Sequence, residues 1–363
     1  MTNRDFLLQA VALLRTDDFT RAEELLRWVL TSTPRDPTAL NLLGVIHQKR
    51  GDYLAAEKSF RESIAALGTF ASAWHNLGNV LIDMERLDDA IEALRRAVRL
   101  DARFHEAHNA LAFAQRRRGD LERAVTSCRR ALDLRTDYAA AWHNLGLTLL
   151  DLDRADEAIE ALLKGSVCSP SIAPLHVLLV RLLRDAGRIE EAEQTALAAR
   201  SHHPRDRDLM THVAELASEH RKAKRPNRSE ELLRTMLVDW PETPELRVNL
   251  ANSLSDQQRI EEAVDACRAA LDIDPSHPEA RSKLVAYLRD SGRYDESLEV
   301  GLATVAADQQ FIEARVNLAL TQLTLGLMPE GWRNYEARLK AVNYRFPLAD
   351  LGEAAAIERY WTG

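Results

Sequence analysis

Apolar residues recur along this chain at helical rather than strand spacing. In the segment beginning at Ala71, Trp74, Gly78 and Leu81 fall on one face of a helix, whereas Ser72, His75, Asn79 and Ile82 fall on another, with Asn76 and Asp83 beside the second. Short polar clusters break the pattern at RGDY, ERLDD, RGDL, DRAD, AGRIE and SGRYD. These are turn sequences, so the pattern predicts amphipathic helices in pairs, each closed by a tight turn.

The pairs repeat. The hexapeptide AWHNLG occurs at Ala73–Gly78 and again at Ala141–Gly146, 68 residues apart, or twice 34. A 34-residue window places units at Asn3, Pro37, Ala71, His105, Ala139, Ala173 and Arg207, and after one break at Pro244, Pro278 and Ile312. Position 20 of the unit is then Ala22, Ala56, Ala90, Ala124, Ala158, Ala192, Ser229, Ala263, Ser297 or Gly331, small in every case. Position 8 is Ala10, Gly44, Gly78, Ala112, Gly146, Val180, Ala214, Ala251, Val285 or Ala319. Two antiparallel helices approach closely only where side chains are small, so positions 8 and 20 are expected to be the two halves of that contact. Pro34, Pro170, Pro204, Pro241 and Pro275 fall at position 32, where a second helix should stop.

The Trp, Leu-Gly, Ala and Pro positions resemble the tetratricopeptide repeat over about residues 3–345. The resemblance implies an all-α, right-handed superhelical solenoid of about ten helix-turn-helix repeats, with the first helix of each pair lining a concave groove. The expected division is residues 3–206 for six repeats, 207–243 for an irregular seventh, 244–345 for three more, and 346–363 for a cap or a linker to a further domain. The seventh unit is three residues over the period, and its excess is assigned to HRKAKRPNRSEE, with Pro226 ending the first helix. That stretch reads either as an enlarged solvated turn or as a kink with an anion-attracting edge of Arg221, Lys222, Lys224, Arg225 and Arg228.

Composition sharpens this. Hydrophobic residues are 46% of the chain and aromatics 6%, and Ala, Leu, Arg and Glu dominate, a helix-forming mixture. A formal net charge of −8 argues against nucleic acid as the main partner without excluding a local basic stretch. The three cysteines are widely spaced, each in or at the end of an expected helix, and read as reduced, core-filling residues. MTNRDFLLQA lacks the features of a secretory signal, and the best apolar run, LHVLLVRLL, is broken by Arg181. The expectation is a cytoplasmic protein without membrane insertion.

The repeated His-Asn pair invites a chemical reading. Metal binding needs several converging ligands, and His75 and His143 are separated by an intervening helix pair. No nucleophile or orienting carboxylate recurs with the pair, which argues against a catalytic triad. HEAH at His105–His108 has its histidines three apart rather than the zincin four, and His108 occupies the Trp position. No cofactor or metal is expected, and no enzyme is expected within these residues. What remains is amide chemistry: Asn76, Asn144, Asn249 and Asn317 recur at position 6, with Asn79 and Asn252 at position 9. An amide pairs with both the C=O and the N–H of a peptide unit, so such a column would hold extended backbone with little sequence preference. It resembles the asparagine ladder of O-linked N-acetylglucosamine transferase-type tetratricopeptide proteins. Leu8, Leu42, Ala110, Leu178, His212 and Lys283 interrupt it. Other groove candidates are His75, His143, Asn109, Arg116, Arg117, Arg181, Arg184, Lys283 and Arg289, as partners for carboxylates or as solvated charges.

The ends differ from the middle. The first unit places Leu7, Leu8, Val11 and Leu14 toward the groove, so its helix is expected to bury against another chain or its own symmetry mate. The last closes with GWRNYEARLK, which resembles the W-x2-Y-E-x-R signature following such arrays in bacterial proteins that continue into a glycosyltransferase. The resemblance implies a scaffold that recruits a protein acceptor, such as flagellin or another surface protein, for a transferase domain. The alternative is a free-standing adaptor for a motility or envelope assembly.

Overall fold

In a computed structural model the described residues are 2–336. They form twenty helices: α1 (Asn3–Arg15), α2 (Phe19–Ser32), α3 (Pro37–Lys49), α4 (Tyr53–Ala66), α5 (Ala71–Asp83), α6 (Leu87–Leu100), α7 (His105–Arg118), α8 (Leu121–Leu134), α9 (Ala139–Asp151), α10 (Ala155–Cys168), α11 (Ala173–Asp185), α12 (Ile189–Arg200), α13 (Arg207–Lys222), α14 (Pro226–Asp239), α15 (Pro244–Asp256), α16 (Ile260–Ile273), α17 (Pro278–Asp290), α18 (Tyr294–Ala307), α19 (Ile312–Thr324) and α20 (Met328–Tyr335). No strand occurs among the described residues. Contacts group them into two bodies, one running to Gly187 with Leu197–His203, the other comprising Arg188–Ala196 and the residues from Pro204 onward.

Each turn between paired helices passes through one left-handed residue: Asp17, Gly51, Glu85, Gly119, Asp153, Gly187, Lys224, Gln258, Gly292 and Gly326. These lie 34 residues apart, except for 37 between Gly187 and Lys224. The phase residue therefore corrects the reading of the irregular unit. The turn before Pro226 is no longer than the others, and Pro226 opens α14 rather than ending α13. The three extra residues instead lengthen α13, which has 16 residues where most first helices have 13. Counting back from Lys224, position 8 is the buried Ala217, not the half-buried Ala214. The basic residues of this stretch are largely matched: Arg221 pairs with Asp256 (2.6 Å), Lys222 with Glu219 (2.7 Å), Arg225 with Glu190 (2.5 Å) and Arg228 with Glu231 (2.5 Å).

Position 8 does open the close approach, but its partner is not position 20. A Cβ on Gly44 would lie 2.5 Å from the Phe60 ring and one on Gly146 2.6 Å from Leu162 Cγ; one on Gly78 would strike Leu94. Phe60, Leu94 and Leu162 share position 24, so the fit is a large side chain on the second helix seated over a missing one on the first. Position 20 packs separately and is buried at every described alanine and serine.

Position 4 does more than pack. Trp74 Nε1 donates to the Gly68 carbonyl (3.0 Å) and Trp142 Nε1 to that of Thr136 (2.9 Å), six residues back. Arg247 and Arg281 make the same bond to Pro241 and Pro275 (both 2.8 Å), and His108 Nε2 lies 3.2 Å from the Ala102 carbonyl. Each links the start of one pair to the connection that follows the pair before it, two residues past the end of that helix. Cys128 and Cys267 are buried, which pushes each thiol up to about 12, whereas Cys168 is exposed at the end of α10 and is no core residue.

Candidate binding groove

Within each body the odd-numbered helices of successive pairs touch, α1 with α3, α5 and onward to α9, and α13 with α15, α17 and α19. Even-numbered helices make no comparable mutual contact among the described residues, so the odd ones form the shorter inner face.

On that face the position-6 asparagines form bonded rungs. Asn76 Nδ2 donates to Asn41 Oδ1 (3.0 Å), Asn144 Nδ2 to Asn109 Oδ1 (2.9 Å), and Asn317 Nδ2 to Ser282 Oγ (2.9 Å) and the Ser282 carbonyl (3.1 Å). Each partner is at position 5 of the preceding unit, 35 residues earlier. Asn41 and Ser282 were missed as members of the set, although amide or hydroxyl side chains at that offset are visible in the sequence. Asn249 has Ala214 at the corresponding place and makes no such rung.

The other candidates divide. Asn79 Nδ2 lies 3.2 Å from His75 Nε2, and the His75 ring packs at 4.9 Å on Phe104. Asn252 departs from expectation: it is 7% exposed and its oxygen accepts from Tyr287 Oη (2.7 Å), so it belongs to the packing between α15 and α17. Arg116 pairs with Asp151 (2.6 Å), Arg117 with Glu85 (2.6 Å), Lys283 with Glu313 (2.9 Å) and Arg289 with Asp290 (2.8 Å). Arg184 likewise bonds Asp185 (3.0 Å), while Arg181 is exposed. Gln48 to Asp83 (2.8 Å), Arg116 to Asp151 and Arg221 to Asp256 make a second 35-residue rung at the rim, from position 12 to position 13 of the next unit.

At the first unit, Leu7 and Leu14 pack into the chain's own core beside Ala10, Leu26 and Ile46, and Val11 is half-buried. Only Leu8, 61% exposed, stands open, because it occupies the place that later units use to bond the preceding one. The apolar face left for a second chain is narrower than the sequence suggests.

Burial lowers the pKa of His75, His108, His143 and His176 below the usual 6.5. The unfolded chain takes up these protons first, so the stability they confer is complete above the unfolded value and is lost as pH falls below it. Thermal unfolding is expected to shift down between about pH 7.5 and about pH 5.5, and less so in His108→Trp, which restores the residue of Trp74 and Trp142. An equal shift in both proteins would refute the assignment.

The fold and face define a helical-repeat scaffold. Tetratricopeptide repeat models match residues 7–69, 75–139, 114–171, 214–278 and 249–311, and a second such model matches 173–198. The chain belongs to the tetratricopeptide repeat family. Human cell division cycle protein 16 homolog is 28% identical over 131 residues, 34% of this chain and 21% of that protein. Protein FlbA of Caulobacter vibrioides is 21% identical over 226 residues, 52% of this chain and 38% of FlbA. The chain thus spans well under half of these relatives. Among solved structures, Pseudomonas aeruginosa pilF (17% identity, TM-score 0.52) is covered to 97% by 59% of this chain, and the type IV pilus biogenesis factor PilW (18%, 0.52) to 97% by 58%; both show the fold alone. No helix among the described residues is long and apolar enough to cross a membrane.

Proposed function

We propose that the inner face of the odd-numbered helices holds an extended protein segment, with Asn76 and Asn144 gripping its backbone and His75, Asn79, Asn109 and His143 flanking them. The observation that supports this most is the rung: it fixes each amide with one N–H and leaves the group further hydrogen-bonding capacity. The regular repeats at 3–206, and separately those at 244–345 after the unit at 207–243, would each supply such a face.

The held segment is an acceptor for a glycosyltransferase domain, flagellin or another bacterial surface protein being the expected class. Trp332, Tyr335 and Glu336 support this by their resemblance to the signature that precedes such domains; its Arg338 and the tail at 346–363 lie outside the described residues. Asn76→Ala with Asn144→Ala should reduce recovery of flagellin in a pull-down by at least about fivefold, the loss of two hydrogen-bonding groups. Equal recovery would refute the groove reading. Lost binding with unchanged flagellin mass in cells carrying the double variant would refute the glycosylation reading and favour the adaptor.

A further inference from the structure

Arginines at position 25 of the repeat, on the even-numbered helices, are matched by a recurring rule. The acid lies four residues earlier for Arg27 (Glu23, 2.6 Å), Arg61 (Glu57, 2.9 Å) and Arg234 (Glu230, 2.9 Å). For Arg129 and Arg268 it comes from the first turn of the next even helix, as Glu157 (3.5 Å) and Glu296. These residues share position 25, and so does Arg95 on α6. Both sources fail for Arg95: four residues earlier stands the buried Ile91, and the matching place on α8 is Arg123.

The failure extends along the surface. Arg96 and Arg99 on α6, Arg103 just after it and Arg130 on α8 are exposed, and none forms an ion pair among the described residues. Arg123 reaches only Asp120, at 4.0 Å. Five guanidinium groups on α6 and α8, with Arg103 just after α6 as a sixth, thus stand without a close acid in a chain whose formal net charge is −8. Like charges so placed repel one another, and an anion supplied from outside would relieve this field.

We propose that this outer face of α6 and α8 docks an acidic protein segment, with side-chain carboxylates taking the places that Glu157 and Glu296 fill in other repeats. A guanidinium fork pairs a carboxylate bidentately, which gives the contact direction as well as attraction. Glu92 on α6 and Asp133 on α8, exposed and in no ion pair among the described residues, favour this partner over nucleic acid. They would repel an unbroken phosphate backbone, whereas spaced acidic side chains can avoid them.

The test is fluorescence anisotropy with a labelled, acetylated Glu-Ala-Ala-Glu repeat peptide, its Gln counterpart and a labelled DNA duplex. The probes are titrated with the intact chain, with Arg95→Ala/Arg99→Ala/Arg130→Ala, and with Arg123→Glu. Glu at 123 restores the acid of the other repeats and should fold normally, as circular dichroism would verify. The intact chain should bind the Glu peptide and not the Gln peptide, with affinity falling severalfold between about 50 and about 200 mM NaCl. The triple variant should lose about tenfold or more, and Arg123→Glu about threefold or more. Equal binding of the Gln peptide, unchanged affinity in either variant, or tighter binding of the duplex would overturn the proposal. Asn76→Ala/Asn144→Ala should bind the Glu peptide normally; if it does not, the peptide occupies the groove and this surface is not its site.

Discussion

Leu162→Ala is expected to lower stability by about 2–5 kcal/mol, and Gly146→Leu by about 1–3 kcal/mol. Leu162 is fully buried and fills the space a Cβ on Gly146 would claim at 2.6 Å. Truncating it removes transfer energy and leaves a cavity between α9 and α10. Leucine at 146 gains up to about 1 kcal/mol of helix propensity over glycine, but the collision outweighs that gain. The double variant exchanges the large and small positions, so it should lose less than the sum of the single losses. Hydrogen exchange of α9 and α10 amides measures each, which suits a repeat array whose unfolding need not be two-state. Strict additivity would show that the two side chains do not share the contact.

The second large effect is expected at a buried cluster that ties the unit containing the long helix to the helix before it. Glu193 on α12 is 3% exposed; its Oε2 lies 2.8 Å from Nε2 of His220, itself 1% exposed on α13, and accepts from Arg228 Nε on α14 at 3.2 Å. Arg228→Leu leaves the Glu193 carboxylate dependent on the histidine alone. The expected loss is about 2–4 kcal/mol, set somewhat below the roughly 3–5 kcal/mol of fully buried pairs because the Arg228 head reaches solvent. Adding Glu193→Leu removes the stranded charge and should restore part of the stability. A double variant less stable than Arg228→Leu would show that the carboxylate is not stranded, and denaturant titration distinguishes the cases.

The repeat was legible because 34-residue recurrence of small residues and turn sequences is a property of the chain, and AWHNLG marks its phase. The irregular unit was misread because three surplus residues can enter at any point between two fixed turns, and polar HRKAKRPNRSEE looked like a loop. Only the left-handed Lys224 shows that they extended α13. The amide column was visible as a column, but its bonding was not. Asn76 and Asn252 are both asparagines on first helices, yet one forms a rung on the inner face and the other is buried against Tyr287.

The sequence by itself determined the all-helical repeat, its period and the small residues that let paired helices meet. Those depend on local spacing and side-chain volume, which are written in the chain. The tertiary structure decided that position 8 receives position 24, which asparagines bond across repeats, and which arginines find an acid. Such pairings join residues from about half a repeat to one repeat apart, and their geometry exists only once the helices have packed together. The same reason separates Arg95 from Arg129: both are arginines at one position of the repeat, and the neighbouring helix brings a carboxylate to Arg129 and another arginine to Arg95's matching place.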